Sequence, residues 1–281
     1  MNFLITGMFL SFLFIAPEDE QLFNKTFSAD NIDHFVISNL AGHVKVLSGN
    51  STEIKVVAHL DDKKMNDDLS IEYKQEEDYL VVYIKTPCTK EKEDIVFDPD
   101  NPSETVSWRN KCSNQCNFDG DLTEISFEVH VPNDMNVYAS TILDGDVKVH
   151  DVNSNVWVQN VNGSIELDNV QQVSHATTVN GDITLTYSDK PKKEGTFSTI
   201  NGDIRVKTRG NIDAHATFKS FSGDFYTDME PLDMLPSEVV EQSKEKGFKY
   251  RIDDMRRIKI GNGGVLLAFQ TFNGDAYLVK N

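Results

Sequence analysis

The sequence predicts an all-β protein whose main part is a β-solenoid or β-roll, built from stacked rungs of about 18–21 residues. Three observations predict this class. A glycine-centred phrase recurs along the chain, apolar residues keep fixed positions around that glycine, and polar residues alternate with them. Alternation with a period of two is typical of a strand with one buried face. Recurrence at near-constant intervals is typical of units that stack along an axis.

The repeat becomes visible when phrases such as TVNGDITL and TINGDIRV are aligned on their glycine. From the second copy onward the intervals are 18, 18, 21, 21 and 51 residues, and the seven glycines are Gly42, Gly145, Gly163, Gly181, Gly202, Gly223 and Gly274. The residue two positions before the glycine is apolar in all seven copies, from Leu40 to Phe272. Apolar residues also dominate two and four positions after it. We expect all three columns to stack as apolar ladders in one core.

Each rung reads as a strand, a tight corner, a second strand and a looser return. Asparagine precedes four of the glycines, and Asn-Gly readily supplies the positive φ angles of such a corner. A hairpin would give the same local signal, so an up-and-down antiparallel sandwich is the alternative fold. The equal spacing favours stacked rungs, with the closing phrase LLAFQTFNGDAYLVKN as the terminal rung.

The chain divides into three predicted segments. Residues 1–16 are typical of a signal peptide, because their apolar run is uncharged and too short to span a bilayer. Pro17 follows directly, so the cleavage site is not defined by the sequence. An N-terminal β region covers 22–124, and the β-repeat domain covers 125–281.

Two of the intervals between the glycines, Gly42 to Gly145 and Gly223 to Gly274, are long enough to hold additional secondary structure. The first holds ordinary strands and a long polar loop at about 88–120, after which ISFEVHVP (125–132) resumes the alternation. The second predicts at most one short helix, over 237–246 with Ser237 as its cap, and then a strand over 248–260.

The three cysteines lie close to or within that polar loop. A disulfide would join Cys88 to Cys112 or Cys116 and close a loop of about 25 residues, which would stabilise the fold by about 3 kcal/mol. Free thiols are the alternative. A zinc site is disfavoured, because Cys112 and Cys116 have no second pair of ligands at suitable spacing.

The formal net charge of −18 excludes one class of function. A nucleic-acid-binding protein needs a cationic surface, so no nucleic acid is expected as a partner. Electrostatic attachment to anionic lipid is disfavoured for the same reason. Beyond the signal segment no stretch is long and apolar enough to cross a membrane.

A column of aspartates after the glycines is the strongest candidate for chemistry: Asp146, Asp182, Asp203, Asp224 and Asp275. His43 and Ser164 interrupt the column. Stacked rungs lie about 4.8 Å apart, so neighbouring carboxylates repel unless they are solvated, hydrogen-bonded or bridged by a cation. Calcium suits such oxygens. The alternative is that each aspartate accepts hydrogen bonds from backbone N–H groups of the corner.

No catalytic constellation stands out, and we assign no catalytic residue. The histidines are scattered, without the spacing of a metal site or a Ser/His/Asp triad. Glycan-cleaving enzymes need paired carboxylates, or a carboxylate with Arg or Lys, at a set distance. Asp203 and Arg205 lie two residues apart on one strand, but the face they share is simply its solvent face. Trp108, Tyr226 and Tyr277 are candidates for stacking on sugars.

The stretches ISFEVHVPNDMNVYASTILDGDVKVHDV and IGNGGVLLAFQTFNGDAYLVKN resemble the putative-adhesin family of bacterial β-strand-repeat proteins, a domain of unknown function with N-G-D-I repeats. The resemblance covers about 125–281 closely and about 30–60 loosely. It implies a solenoid-like β fold and export to the cell envelope, and it brings no catalytic residues. The loop at 88–120 and Ser164 depart from the family pattern.

These observations predict a non-enzymatic exported protein of the cell envelope, in the periplasm or at the cell surface, with a role in adhesion or interaction. Its partner would be an envelope or surface ligand, a glycan or a protein, and calcium is the one cofactor considered. Two alternatives stay open: a carbohydrate-active enzyme (polysaccharide lyase or hydrolase) on a β-helix, and an envelope-stress accessory or structural protein.

Overall fold

The computed structural model describes residues 21–60, 66–89, 91–106, 123–236, 239–244, 247–252 and 255–281. Within these ranges the protein is built from β-strands, and the helical elements are two short 3₁₀ turns, Lys92–Asp94 and Pro102–Glu104. Neither is long and apolar enough to cross a membrane. The signal peptide predicted over 1–16 lies outside the described residues.

Two long sheets carry the fold. Sheet A has ten strands, which in spatial order are β1 (Gln21–Ser28), β4 (Glu53–Leu60), β7 (Ile125–Pro132), β3 (Val44–Gly49), β9 (Val147–His150), β11 (Ile165–Val170), β13 (Ile183–Tyr187), β15 (Ile204–Thr208), β23 (Ala276–Lys280) and β17 (Phe225–Thr227).

Sheet B has eleven strands, and one further pair of strands forms a separate hairpin. The order in sheet B is β18 (Leu232–Leu235), β21 (Arg256–Ile260), β16 (Ala214–Lys219), β22 (Val265–Gln270), β14 (Gly195–Ser198), β12 (Gln172–Thr177), β10 (Asn155–Gln159), β8 (Asn136–Ser140), β2 (His34–Ser38), β6 (Tyr79–Lys85) and β5 (Ser70–Gln75). The separate hairpin consists of β19 (Val239–Lys244) and β20 (Gly247–Ile252).

The rungs stack in parallel, as the solenoid prediction requires. Every rung gives one strand to sheet A and one to sheet B, and equivalent residues pair in register, for example Ile165 with Ile183 and Ile183 with Ile204. The parallel pairing rules out the up-and-down sandwich, in which successive strands would be antiparallel. The β-solenoid predicted from the glycine repeat is therefore confirmed.

The spatial order of the rungs differs from their order in the chain. Strand β23 lies between β15 and β17, and β22 lies between β14 and β16. The rung of Gly274 is thus inserted between those of Gly202 and Gly223, and the expectation that the closing phrase forms the terminal rung was wrong. The 51-residue interval gives the chain enough length to leave the stack and return one rung earlier.

Antiparallel strands cover most of the solenoid ends. At the N-terminal end β4 and β1 extend sheet A and β5 extends sheet B, while at the other end β21 and β18 extend sheet B. The helix predicted over 237–246 was wrong, because this region contributes to the hairpin β19–β20 instead. A helix of about ten residues is marginal on its own, whereas pairing satisfies the backbone groups of both strands.

The core lies between the inner faces of the two sheets. The columns two and four residues after the glycine are buried, as predicted, in every rung except that of Gly223, which lies at the end of the stack. The column two residues before the glycine was predicted to join them, and this was wrong for three of its members: Ile200, Phe272 and Phe221 are 47%, 49% and 80% exposed. The other four are partly buried, and Leu40 packs against the core. The exposed members point outward because the residue before each of them, three positions before the glycine, points inward, and successive side chains of an extended chain face opposite ways.

In most rungs this inward residue is polar, and its side chain bonds across the corner to the neighbouring rung. The Thr178 hydroxyl donates to the carbonyl of Gly163 at 2.9 Å, and the Thr199 hydroxyl donates to that of Gly181 at 3.0 Å. In a third rung the Asn160 amide donates to a glycine carbonyl in the same way, at 2.8 Å. Each of these bonds joins a side chain of one rung to a glycine carbonyl of the neighbouring rung, so the polar residues stabilise both the bend and the stacking.

Glycine is required at the corner by close approach of the backbones. A Cβ on Gly181 would lie 2.2 Å from the carbonyl oxygen of Gly163, and one on Gly202 would lie 2.1 Å from that of Gly181. Both residues also have positive φ, +157° and +151°. Any side chain would therefore push adjacent rungs apart.

We predict that Gly202→Ala destabilises the protein by about 3 kcal/mol or more, because the clash is with backbone that cannot rotate away. Gly49→Ala is the matched control, since its Cβ would meet no atom within 4 Å. Urea unfolding followed by circular dichroism measures both variants. Equal stability of the two would contradict the close-approach explanation.

Candidate functional site

The aspartate column forms a hydrogen-bond ladder along the corners. Oδ1 of Asp182 accepts the backbone N–H of Asp203 at 2.8 Å, Oδ1 of Asp203 accepts that of Asp275 at 2.9 Å, and Oδ1 of Asp275 accepts that of Asp224 at 2.9 Å. Oδ1 of Asp146 accepts from Ser164 at 2.8 Å. The ladder follows the spatial order of the rungs rather than their order in the sequence.

The two residues that seemed to interrupt the column continue the ladder. Ser164 Oγ accepts the N–H of Asp182 at 3.3 Å, and His43 Nδ1 accepts the N–H of Asp146 at 2.9 Å. At the far end Asp224 accepts from Arg256 at 3.3 Å. The position after the glycine therefore requires a side chain that accepts a hydrogen bond from the next rung. Aspartate is the commonest residue that does so.

Protein groups also satisfy the outer carboxylate oxygens. Arg205 lies 2.6 Å from Oδ2 of Asp203 and 3.8 Å from Oδ2 of Asp182, and the Tyr277 hydroxyl donates to Oδ2 of Asp275 at 3.2 Å. Desolvation, followed by the hydrogen bond and charge of Asp275, raises the pKa of Tyr277. In the part of the chain that the structure describes, no group of three or more His, Cys, Asp or Glu is arranged to hold a metal ion. Calcium binding stays a prediction.

A second ladder, of asparagine amides, was missed by the sequence reasoning. Asn180 donates to Asn162 at 2.8 Å, Asn201 donates to Asn180 at 2.8 Å, and Asn273 donates to Asn201 at 2.9 Å. The positive φ belongs to the glycines and not to these asparagines. Identical amides at equal spacing are the signal that predicts such a ladder, because stacked amides bond to the copy above and below.

Several candidate residues can be located only in part. Cys88 is buried, while Cys112, Cys116 and Trp108 lie outside the described residues, so the disulfide stays a prediction. Tyr226 and Tyr277 stack on each other with ring centres 5.0 Å apart, on the outer face of sheet A. The guanidinium of Arg205 lies 4.9 Å from the ring centre of Tyr277.

A groove lies on the outer face of sheet B. The segment 91–106 crosses this face and buries Ile95, Phe97 and Val106 against Tyr79, Tyr83 and Tyr138 in a cluster separate from the main core. The partly buried Trp157 packs against this cluster. The groove lies between residues 102–106 and Trp157, with a volume of about 390 Å³.

The floor of the groove is made of outward residues from three neighbouring strands, β2, β8 and β10. Because these strands pair in register, their side chains form rows across the sheet: an apolar row, then a polar row, then an apolar edge. The rows are Val36, Tyr138 and Trp157; Ser38, Ser140 and Gln159; and Ile142 and Val161. The wall is formed by Pro102, Ser103, Glu104 and Val106.

Aromatic neighbours hold the side chains of the apolar row. Trp157 stacks on His175, with ring centres 5.2 Å apart and planes inclined by 16°. The Tyr138 hydroxyl lies 3.2 Å from Nδ1 of His34. Burial raises the pKa of Tyr138 and lowers the pKa of His175, so both side chains favour their neutral forms.

Glu104 is the single carboxylate among the described residues that line the groove. Hydrolysis of a glycosidic bond by the common mechanisms uses two carboxyl groups flanking the bond. The arrangement suits binding of a small polar molecule through an aromatic surface and a few hydrogen-bonding groups.

The fold defines the class of the protein: a parallel two-sheet β-solenoid with hydrogen-bonded corner ladders. The model of the Toastrack DUF4097 family, a domain of unknown function, matches residues 120–261, which is just over half of the chain. The protein therefore belongs to the Toastrack DUF4097 family. No curated protein matches it.

Solved structures that match the chain include a putative cell adhesion protein from Clostridium sporogenes, at 10% identity, covering 92% of this chain and 98% of that one, with a TM-score of 0.44. A putative adhesin from Bacteroides fragilis matches at 8% identity, 94% and 99% coverage and a TM-score of 0.26. A putative lipid binding protein from Parabacteroides distasonis matches at 12% identity, 92% and 96% coverage and a TM-score of 0.25. These likenesses identify neither a ligand nor an activity for this chain.

We predict that Asp203→Ala lowers the free energy of unfolding by about 1–2 kcal/mol, because the N–H of Asp275 loses its acceptor. Asp203→Asn should lose less, since its amide oxygen can accept the same bond and an exposed ion pair contributes about 0–1 kcal/mol. Thermal unfolding with excess calcium or a chelator compares the variants. A calcium-dependent rise in the wild-type midpoint that Asp203→Asn abolishes would instead support a bridging cation.

A second prediction concerns pH. Since burial lowers the pKa of His175 below 6.5, the unfolded chain takes up this proton at a higher pH than the folded protein does. Stability should therefore fall as the pH drops below about 6.5, until the folded histidine is also protonated. Urea unfolding at several pH values should show a steeper loss for wild type than for His175→Gln. If wild type and His175→Gln lost stability in parallel as the pH falls, His175 would not be the source of the pH dependence.

Proposed function

We propose that this protein is a non-enzymatic, exported protein of the cell envelope that acts in adhesion or interaction through its outer surfaces. The observation that carries the proposal is the groove on sheet B. It combines an aromatic side chain, hydroxyls and an amide with a single carboxylate among its described lining residues. Such a site can bind a ligand, and its described lining residues do not include the second carboxyl group that glycan hydrolysis would use.

The exposed apolar column at the corners supports the same proposal. Phe221 and Phe272 stack with ring centres 4.8 Å apart and nearly parallel planes, and both are largely exposed. Exposed aromatic residues that lie together mark interaction surfaces more often than isolated ones do. The fold thus offers two separate surfaces for partners, the groove and this corner.

Export is part of the proposal and rests on the sequence of residues 1–16. Fusing residues 1–20 to a reporter that is active only after export should give activity outside the cytoplasm. A deletion of 3–16 is the control and should keep the reporter inside. A reporter that stays in the cytoplasm with both fusions would contradict export.

We expect the purified protein to bind a subset of glycans or envelope proteins on arrays, with and without calcium, and to leave those glycans intact. Product analysis by mass spectrometry measures cleavage directly. Glycan turnover without stable binding would replace this proposal by the carbohydrate-active enzyme. Neither binding nor turnover would favour an accessory or structural role in the envelope.

A further inference from the structure

We propose that the N-terminal end of the solenoid carries a binding site for a tetrahedral oxyanion, a phosphate or sulfate group, formed by Lys25, Tyr73 and Lys92. This site goes beyond the proposed function and does not depend on the groove. It is carried by two ammonium groups that share one phenol ring and have no carboxylate partner among the described residues.

The framework of the site is the end of the core between the two sheets. Among the described strands, β1 is the end strand of sheet A and β5 is the end strand of sheet B. Tyr73 of β5 joins them, because its ring packs edge-on against Phe27 of β1, with ring centres 5.0 Å apart, and borders the main core. The phenol is thus fixed by packing, and together with Lys92 it lines a cavity of about 480 Å³.

Two lysines converge on the ring of Tyr73. Nζ of Lys25 donates a hydrogen bond to the Tyr73 hydroxyl and lies 3.8 Å from the ring centre. Nζ of Lys92 lies 5.0 Å from the same ring centre. Within the described ranges no carboxylate forms an ion pair with either ammonium group. Because like charges repel at this range, an anion that contacts both groups lowers the free energy of the arrangement.

The groups of the site supply hydrogen-bond donors. Since the Tyr73 hydroxyl accepts from Lys25, its own hydrogen is available to an acceptor, and no described residue provides one. Nζ of Lys92 likewise makes no hydrogen bond to the part of the chain that the structure describes. The oxygens of a phosphate or sulfate group are acceptors, and charge-assisted bonds from lysine to such oxygens are among the stronger ones in proteins.

The turn that carries Lys92 is tied to the strand of Tyr73. Nζ of Lys74 on β5 donates to the carbonyl of Ile95, directly after the turn Lys92–Asp94, at 2.6 Å. The same ammonium group forms an ion pair with Glu76 at 3.4 Å. Glu76 lines the cavity, and its charge is therefore neutralised within the protein.

Glu93 is the other carboxylate among the described residues that line the cavity, and its potential acts at a different tyrosine. Burial, followed by the hydrogen bond of Glu72 and the charges of nearby glutamates that include Glu93, raises the pKa of Tyr83 on the neighbouring strand. The two lysines instead lower the pKa of Tyr73, chiefly through the hydrogen bond from Lys25. The lysines thus dominate the potential at the Tyr73 hydroxyl, although the protein has a formal net charge of −18.

The charges of the site and of the whole protein define the class of ligand. Two cations attract a dianion more strongly than a carboxylate with a single charge. A long polyanion would bring many further charges close to an acidic protein. The site therefore suits one phosphate or sulfate group, either free or carried by a small molecule or a head group.

NMR of the tyrosine rings observes the site directly in the purified protein. When tyrosine is labelled with ¹³C, the ring signal that Tyr73→Phe removes belongs to Tyr73. We expect this signal to shift saturably on titration with inorganic phosphate and with sulfate. Chloride at the same ionic strength should not shift it.

Substitution of the exposed lysine then tests the role of the second cation. Lys92→Gln should weaken the affinity for phosphate about tenfold or more, because a charge-assisted hydrogen bond is lost. Lys192→Gln is the matched control, since it removes the same charge from an exposed position between β13 and β14 and should leave the affinity unchanged. Thermal unfolding checks that both variants are folded.

Glucose 6-phosphate and vesicles that contain phosphatidylglycerol distinguish the sources of the group. Tighter binding of one of them than of inorganic phosphate assigns the group to a small phosphate ester or to a lipid head group, and weaker binding of both assigns it to the free anion. If chloride shifts the Tyr73 signal equally, or if folded Lys92→Gln keeps the full affinity, this end of the solenoid has no oxyanion site. Either of those two results leaves the proposed function intact, because that function rests on the groove and the corner.

Discussion

The contact between backbones at the corner glycines is the constraint on which the rest of the structure depends. Adjacent rungs approach so closely there that a Cβ on most of these glycines would lie about 2 Å from the carbonyl oxygen of the next. This contact fixes the register of the rungs. Once the register is fixed, every residue faces the equivalent residue of its neighbour, so apolar positions become core ladders and polar positions become hydrogen-bond ladders.

The ladders explain which substitutions the repeat tolerates. The position after the glycine must accept an N–H from the next rung, and Asp, Ser164 and His43 all do so. In several rungs the position three before the glycine donates to a glycine carbonyl, and Thr and Asn both do so. The repeat is therefore conserved in hydrogen-bonding role rather than in residue type, which follows from the high free-energy cost of an unpaired polar group at a tight corner.

The candidate binding site lies where the regular pattern ends. The regular solenoid presents side chains in straight rows on its outer faces and forms no deep cleft by itself. The segment 91–106, inserted between rungs, covers part of sheet B, and the groove forms at its edge against Trp157. An inserted loop thus turns a row of outward residues into a concave surface.

The sequence by itself determined the strand alternation, the glycine corners, the parallel stack and the two buried columns, because these depend on local periods and on the geometry of one rung. It also identified the aspartate column and gave hydrogen bonding as one of its explanations. Tertiary structure alone decided that the rung of Gly274 is inserted before that of Gly223, that 239–252 contributes a hairpin, and that Ile200 and Phe221 face solvent. It also brought Trp157, Gln159 and Glu104 together. These features depend on contacts between distant segments, and no local period in the sequence encodes which distant segments meet.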